Sequence, residues 1–264
     1  MVIDVLKDRI EIGKNPELDE LDTEEKIQRF MLKAIGEAMR ASSRAESVAQ
    51  ACGHSMVDLL VHDIEVYKDD PRMLEERASV IKTVVRAYAK RIGSNPDSLI
   101  NGFLAETVTC IALKQSGYIV LSPTQVEDLH YGIDMYAIDP NAKEKEDKKV
   151  LVIQVKASSE LDGPFVQRLG ESEKGLGLFL GRQQMADVDS FMKRLDESKE
   201  KMLQYLSKER NLFGENEAVP LLIMIPCGIY CDASVVNLRN GSPIKGFKWK
   251  LYDMMEPLVY KERE

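Results

Sequence analysis

An α/β fold, with a mixed sheet flanked by helices and an all-helical unit ahead of it, is predicted by three features of the sequence. Apolar residues recur at helical spacing through the first third of the chain. A Gly93-Ser94-Asn95-Pro96 cluster then breaks that pattern. Beyond it, short β-branched runs alternate with helical stretches. These features divide the chain into a helical domain over 1–96 and an α/β domain over 97–264.

The first helix is predicted from Ile27, Phe30, Met31, Ala34, Ile35 and Ala38, which share one face, with Thr23 as its N-cap. A second is expected from about Ser47 to Tyr67. A third opens at Pro71, a good first-turn residue, and aligns Leu74, Ala78, Ile81, Val85, Tyr88 and Ile92. Three apolar faces are more than a short bundle readily hides. The helical domain is therefore expected to act as an oligomerisation surface, giving a homodimer, or as a platform for nucleic acid.

In the second part a helix is expected from Asp97 to Ser116, closed by Gly117. Strands follow at Tyr118–Leu121, Gly132–Ile138, Val150–Lys156 and Leu176–Leu180. Ser158–Gly177 reads as a long loop. A polar helix over Met185–Arg210 precedes a strongly apolar strand, Val219–Ile225. Asn240-Gly241 signals a hairpin between Val235–Arg239 and Ile244–Tyr252.

The chain has 264 residues and a net charge of -8, acidic in both parts. That balance disfavours a protein that coats nucleic acid without specificity, yet it allows a basic groove beside a carboxylate site. No apolar run reaches the ~20 residues of a membrane span. Met1–Lys14 interleaves charged with apolar residues, unlike a signal peptide, so a cytoplasmic address and no membrane partner are expected. Cys52, Cys110, Cys227 and Cys231 are too sparse for a disulfide framework and read as buried thiols.

Chemistry concentrates in two short stretches, Tyr131-Gly132-Ile133-Asp134 and Gln154-Val155-Lys156. Side chains two apart on a strand share a face, so Gln154 and Lys156 project together, and a hairpin can bring Asp134 beside them. Lys156 closes the run Val150-Leu151-Val152-Ile153, where packing alone would not place a charge. A cross-strand salt bridge between Asp134 and Lys156 is the plain structural alternative. It contributes little at a surface and is costly to bury. On the preceding helix, Glu106 sits at the margin of the stripe made by Leu99, Phe103, Leu104, Thr107, Val108 and Ile111.

This constellation resembles the PD-(D/E)XK, or restriction-endonuclease-like, nuclease superfamily. Gly132-Ile133-Asp134 is similar to its first motif element. Gln154-Val155-Lys156 is similar to the second, in the variant with Gln in place of the acid, and Glu106 to the helical Glu. The resemblance covers Asp97 to Ile225 and includes the order helix, strand, strand, strand, helix, strand. It implies a restriction-endonuclease-like mixed sheet and magnesium-dependent hydrolysis of phosphodiester bonds, with manganese as a substitute. Nucleic acid is then the partner, DNA rather than RNA, and endonuclease rather than exonuclease action is expected. Asp134, Gln154, the Val155 carbonyl and Glu106 would hold the metal. Lys156 would stabilise developing negative charge. With Gln at 154 the site has two carboxylates instead of three.

Other candidates for substrate contact are Arg168 and Arg182 beside the site, and Lys245, Lys248 and Lys250 near the C-terminus. There Phe247, Trp249 and Leu251 alternate with lysines, as in a strand with one apolar and one basic face. His130 reads as a loop histidine, and His54 and His62 as structural. Two other readings stand beside the enzyme. One is a catalytically silent relative that binds nucleic acid or protein. The other is an assembly protein whose polar cluster is incidental.

Overall fold

The computed structural model describes residues 6, 8–41, 45–140, 149–158, 164–170, 188–209, 213, 216–226 and 247–259. Three long helices open the chain: α1 (Glu24–Ala41), α2 (Ala45–Val66) and α3 (Pro71–Ile92). Thr23 accepts a hydrogen bond from the Lys26 N–H at 3.3 Å, as expected of an N-cap. Asp70 caps α3 by accepting from the Met73 N–H, with Pro71 in the first turn and Gly93, at φ 72°, closing the last.

The α/β part follows as α4 (Pro96–Gln115), β1 (Ile119–Leu121), α5 (Gln125–Tyr131), β2 (Met135–Ile138), β3 (Lys149–Ser158), β4 (Phe165–Arg168), α6 (Val188–Lys208), β5 (Glu217–Pro226) and α7 (Phe247–Val259). The strands form one five-stranded sheet in the order β1-β2-β3-β5-β4. β3 and β5 run parallel, and the other neighbours pair antiparallel. The sheet is therefore mixed and open, with helices on both faces.

Alternation along the strands sorts the two faces. Leu151, Ile153 and Val155 join Met135, Ala137, Leu221 and Ile223 in a core shared with α1 to α4. Val150 and Val152 join Tyr136, Ile138, Leu222 and Met224 in a second core, covered by Leu195, Met202 and Tyr205 of α6. The residue 96 boundary is a break in the helices and not in the packing: Met31, Leu59, Val85, Leu104 and Ile153 belong to one apolar cluster. No described helix is long and apolar enough to cross a membrane.

Three expectations need correction. Phe247–Tyr252 is helical, not the second strand of a hairpin. Its alternation of aromatic and lysine residues is outweighed by Leu251, Met255 and Val259, which recur every four residues and are buried. The segment read as one loop from Ser158 to Gly177 contains β4, which pairs along β5 from Phe165↔Met224 to Arg168↔Leu221. His130, expected on a loop, lies on a helix, Gln125–Tyr131, which the complete capping box of Thr124 against Glu127 starts. The expected strand at Leu176–Leu180, the Asn240-Gly241 turn, and Arg182 and Lys245 lie outside the described residues, as do the side chains of Lys248 and Lys250.

Candidate active site

The site is built at the end of the β2–β3 ladder. Met135 pairs with Ile153, so the next residues, Asp134 and Gln154, stand opposite each other. Gln154 and Lys156 fall, by alternation, on the face covered by α6. Asp134 is held by its backbone and its side chain together. Its N–H donates to the Ile153 carbonyl at 2.9 Å, and its Oδ2 accepts from the Val155 N–H at 2.5 Å. The carboxylate thus continues the ladder one step past the end of β2.

Gly132 makes this corner. It closes α5 in the left-handed region, at φ 65°. It also leaves room for Gln154, because a Cβ at 132 would lie 2.3 Å from Gln154 Nε2. Gln154 is 2% exposed, and its Oε1 has no hydrogen-bond partner among the described residues. A buried acceptor without a donor is costly and calls for an explanation, of which a bound ion or water is one.

Glu106 arrives from α4 and is half-buried. Desolvation raises its carboxyl pKa well above the ordinary value. The carboxylates of Asp134 and Asp128 add to the rise, and Lys156 opposes it. Asp134 is pushed up to about 6, first by desolvation, with Asp128 adding and Lys156 opposing. Glu106, Asp134 and Lys156 therefore share one electrostatic neighbourhood with Asp128, and Gln154 stands across the ladder from Asp134. Two carboxyls there are hard to ionise in the absence of a cation.

Two further groups belong to this neighbourhood and were missed. Asp128, on α5, is 4% exposed. Oδ2 of Asp128 lies 3.1 Å from Nε2 of His54, on α2. Burial lowers the His54 pKa, but Asp128, followed by Asp134 and Asp58, outweighs it and leaves it raised. His54 thus stands at the site and not merely in the helical core. The sequence offered a faint signal for Asp128, four residues before Gly132 and so one helical turn from the corner. It offered none for His54, which is some seventy residues away. His62 is structural as expected, lying 3.2 Å from Asp19 and 3.4 Å from Asp63. His130 is exposed on α5.

Other expected contacts fall elsewhere. Arg168 donates to Glu217 at 2.6 Å and to the Leu258 carbonyl at 3.2 Å, tying β4 to β5 and α7. β4 lies beyond β5 from β3, so Arg168 does not join the cluster. Cys110 is a free buried thiol whose pKa is raised by desolvation.

As a metal centre, the donor set is one of hard oxygens: the carboxylates of Asp134 and Glu106, Gln154 Oε1 and the Val155 carbonyl. The orphaned Gln154 oxygen fits a hard divalent cation. Among the described residues, no three His, Cys, Asp or Glu side chains form a group that could hold a metal. A site here depends on the amide and backbone oxygens as well as on carboxylates. Comparison with family models, with curated proteins and with solved structures finds no match to this chain.

Proposed function

We propose that this chain is a metal-dependent nuclease of the PD-(D/E)XK type, hydrolysing phosphodiester bonds of nucleic acid, with DNA as the expected substrate. The observation that carries the reading is the buried Oε1 of Gln154, without a hydrogen-bond partner among the described residues and set opposite Asp134 at the end of the ladder. The order α4, β1, β2, β3, α6, β5, with β5 parallel to β3, supports a restriction-endonuclease-like core. In that comparison α5 is an insertion, and β4 an extra edge strand.

Magnesium, or manganese in its place, would be held by Asp134, Gln154 Oε1, the Val155 carbonyl and Glu106. When bound, such an ion neutralises phosphate charge and acidifies water. The chain's own residues do the remainder. Asp134 carries the central negative charge and is oriented by the Val155 N–H. Burial, with Asp134 and Asp128 nearby, biases the Glu106 carboxyl toward its protonated form. Lys156 supplies a fixed positive charge where the pentacovalent phosphate gathers negative charge.

Two observations favour the silent-module reading instead: Asp134 already accepts a hydrogen bond from Val155, and no three-sidechain ligand group forms among the described residues. A cleavage assay separates the two. The purified chain is incubated with mixed single- and double-stranded DNA and RNA, with magnesium or manganese and with chelator. The enzyme reading expects metal-dependent cleavage that is lost in Lys156→Ala and Asp134→Asn. Nucleic-acid binding without cleavage under any metal would establish the silent module.

A further inference from the structure

His54 and Asp128 form a buried pair that joins the N-terminal helices to the corner carrying Asp134. Gly53 makes the approach possible, since a Cβ there would lie 3.0 Å from Cε1 of Phe103 on α4. The next residue, His54, then reaches Asp128 at 3.1 Å. From Asp128 the connection continues through backbone. The Asp128 carbonyl accepts from the Gly132 N–H at 2.9 Å, and the Glu127 carbonyl from the Ile133 N–H at 3.2 Å. Both residues ahead of Asp134 are thus fastened to α5. The other side of α5 is held by Glu127, which accepts from Arg9 at 2.8 Å and from the Thr124 N–H at 2.6 Å.

We propose that His54 is a positioning residue of the site: through Asp128 it fixes α5, and α5 fixes where the Asp134 carboxylate meets the Val155 N–H. The pair is needed because Asp128 is buried beside two other carboxyls, and a lone buried charge there would push α5 outward toward water. The charged groups around the His54 imidazole are Asp128 from α5, Asp134 from the corner, Asp58 from α2 itself, and Asp8 and Arg9. Those last two line, with His54 and Asp58, a cleft of about 270 Å³. The functional use of this positioning rests on the nuclease reading, but the positioning itself does not.

The Val155 amide gives a readout on a different element, β3, from those that carry His54 and Asp128. The full-length metal-free chain is labelled with 15N and compared with His54→Ala, Asp128→Asn and Ser55→Ala by amide chemical shift and hydrogen exchange. In His54→Ala and Asp128→Asn the Val155 amide proton moves upfield, and its exchange quickens by about tenfold relative to Val152 in the same strand. Ser55→Ala, which lines the same cleft, leaves it unchanged. If His54→Ala fails to fold, Asp128→Asn, which keeps the side-chain volume, carries the same measurement. A Val155 amide that stays put in either folded variant overturns the proposal. Wild-type cleavage is scored separately. An inactive wild type with a moved amide overturns the nuclease reading alone, and an active wild type with an unmoved amide overturns this inference alone.

Discussion

Gln154 packs its amide against the bare Cα of Gly132, so closely that a methyl group on Gly132 would sit 2.3 Å from Nε2. The glycine is also held at φ 65°, where an L-residue is strained. Two separate demands therefore fall on one position. One is the turn that ends α5, and the other is the space that lets Gln154 stay buried opposite Asp134.

Gly132→Ala tests both demands. The left-handed conformation alone costs about 1–2 kcal/mol, and displacement of the Gln154 amide adds to it. The expected outcome is a lower thermal midpoint with loss of manganese binding in the fraction that stays folded. Gly93→Ala serves as the reference, because it closes α3 at φ 72° with nothing within 4 Å of the added carbon. Calorimetry should show Gly132→Ala as the more destabilised of the two.

Gln154 is expected to trade stability for binding. Its Oε1 is buried without a donor among the described residues, a defect worth about 1–3 kcal/mol. Gln154→Leu removes the orphaned oxygen at similar volume and should raise the stability of the metal-free protein while abolishing metal binding. Gln154→Glu adds a charged oxygen at the same place. It should keep or strengthen manganese affinity and destabilise the metal-free form, since it buries another carboxyl beside Asp134, Glu106 and Asp128. Denaturant melts and isothermal titration of the two variants check the opposed signs. A Gln154→Leu protein that still binds manganese like wild type would remove Gln154 from the site.

Much of this site was legible in the sequence because strand alternation and ladder register are local rules. Gln154-Val155-Lys156 lies on β3, and Gly132-Ile133-Asp134, expected within a strand, instead forms the corner that leads into its partner β2, which begins at Met135. The bounds of α4, β3, α6 and β5 followed from periodicity and turn residues in the same way. What stayed hidden depends on long-range packing. His54 sits in a helix whose pattern says only that it is buried, and its meeting with Asp128 is set by how α2 crosses α4 at Gly53. The C-terminal segment misled because six residues of alternation, Phe247 to Tyr252, fit a strand. Only the longer four-residue recurrence through Val259 marks a helix.

Proton linkage gives the site a pH signature. Asp134 holds its proton to about pH 6 in the folded chain, against 3.8 for an ordinary Asp, and Glu106 is raised in the same direction. Between those values the folded state binds more protons than the unfolded state. Stability of the metal-free protein therefore falls as pH rises through this window. Metal binding must displace the same protons, so manganese affinity should climb as pH passes 6. Lys156 opposes the rise at both carboxyls. Lys156→Ala should move both profiles to higher pH, while reducing turnover far more than metal affinity once the carboxyls are ionised. Thermal midpoints and manganese titrations from pH 4 to pH 8 test this. Asp134→Asn should flatten the slope, and an unaltered slope in that variant would show that the proton sits elsewhere.

The helical unit is held by a second buried ion pair, away from the site. Arg77 on α3 donates to Asp63 on α2 at 2.7 Å and to the Leu21 carbonyl at 2.5 Å, and its guanidinium lies 4.9 Å from the centre of the Tyr67 ring. Both side chains are at most 5% exposed. Removing one partner leaves a charge stranded in the core, which typically costs about 3–5 kcal/mol. Arg77→Met should therefore destabilise strongly, by leaving Asp63 without its guanidinium partner and the Leu21 carbonyl without its donor. The double variant Arg77→Met with Asp63→Leu removes both charges and should recover most of that loss. Because the shared core carries α2 into the site at His54, the single variant should also loosen the Val155 amide, and the double variant should restore it. Urea melts of the wild type and the two variants, with Val155 exchange measured alongside, check the argument. Equal destabilisation of the single and double variants would mean that packing of the guanidinium, rather than its charge, holds α2 to α3.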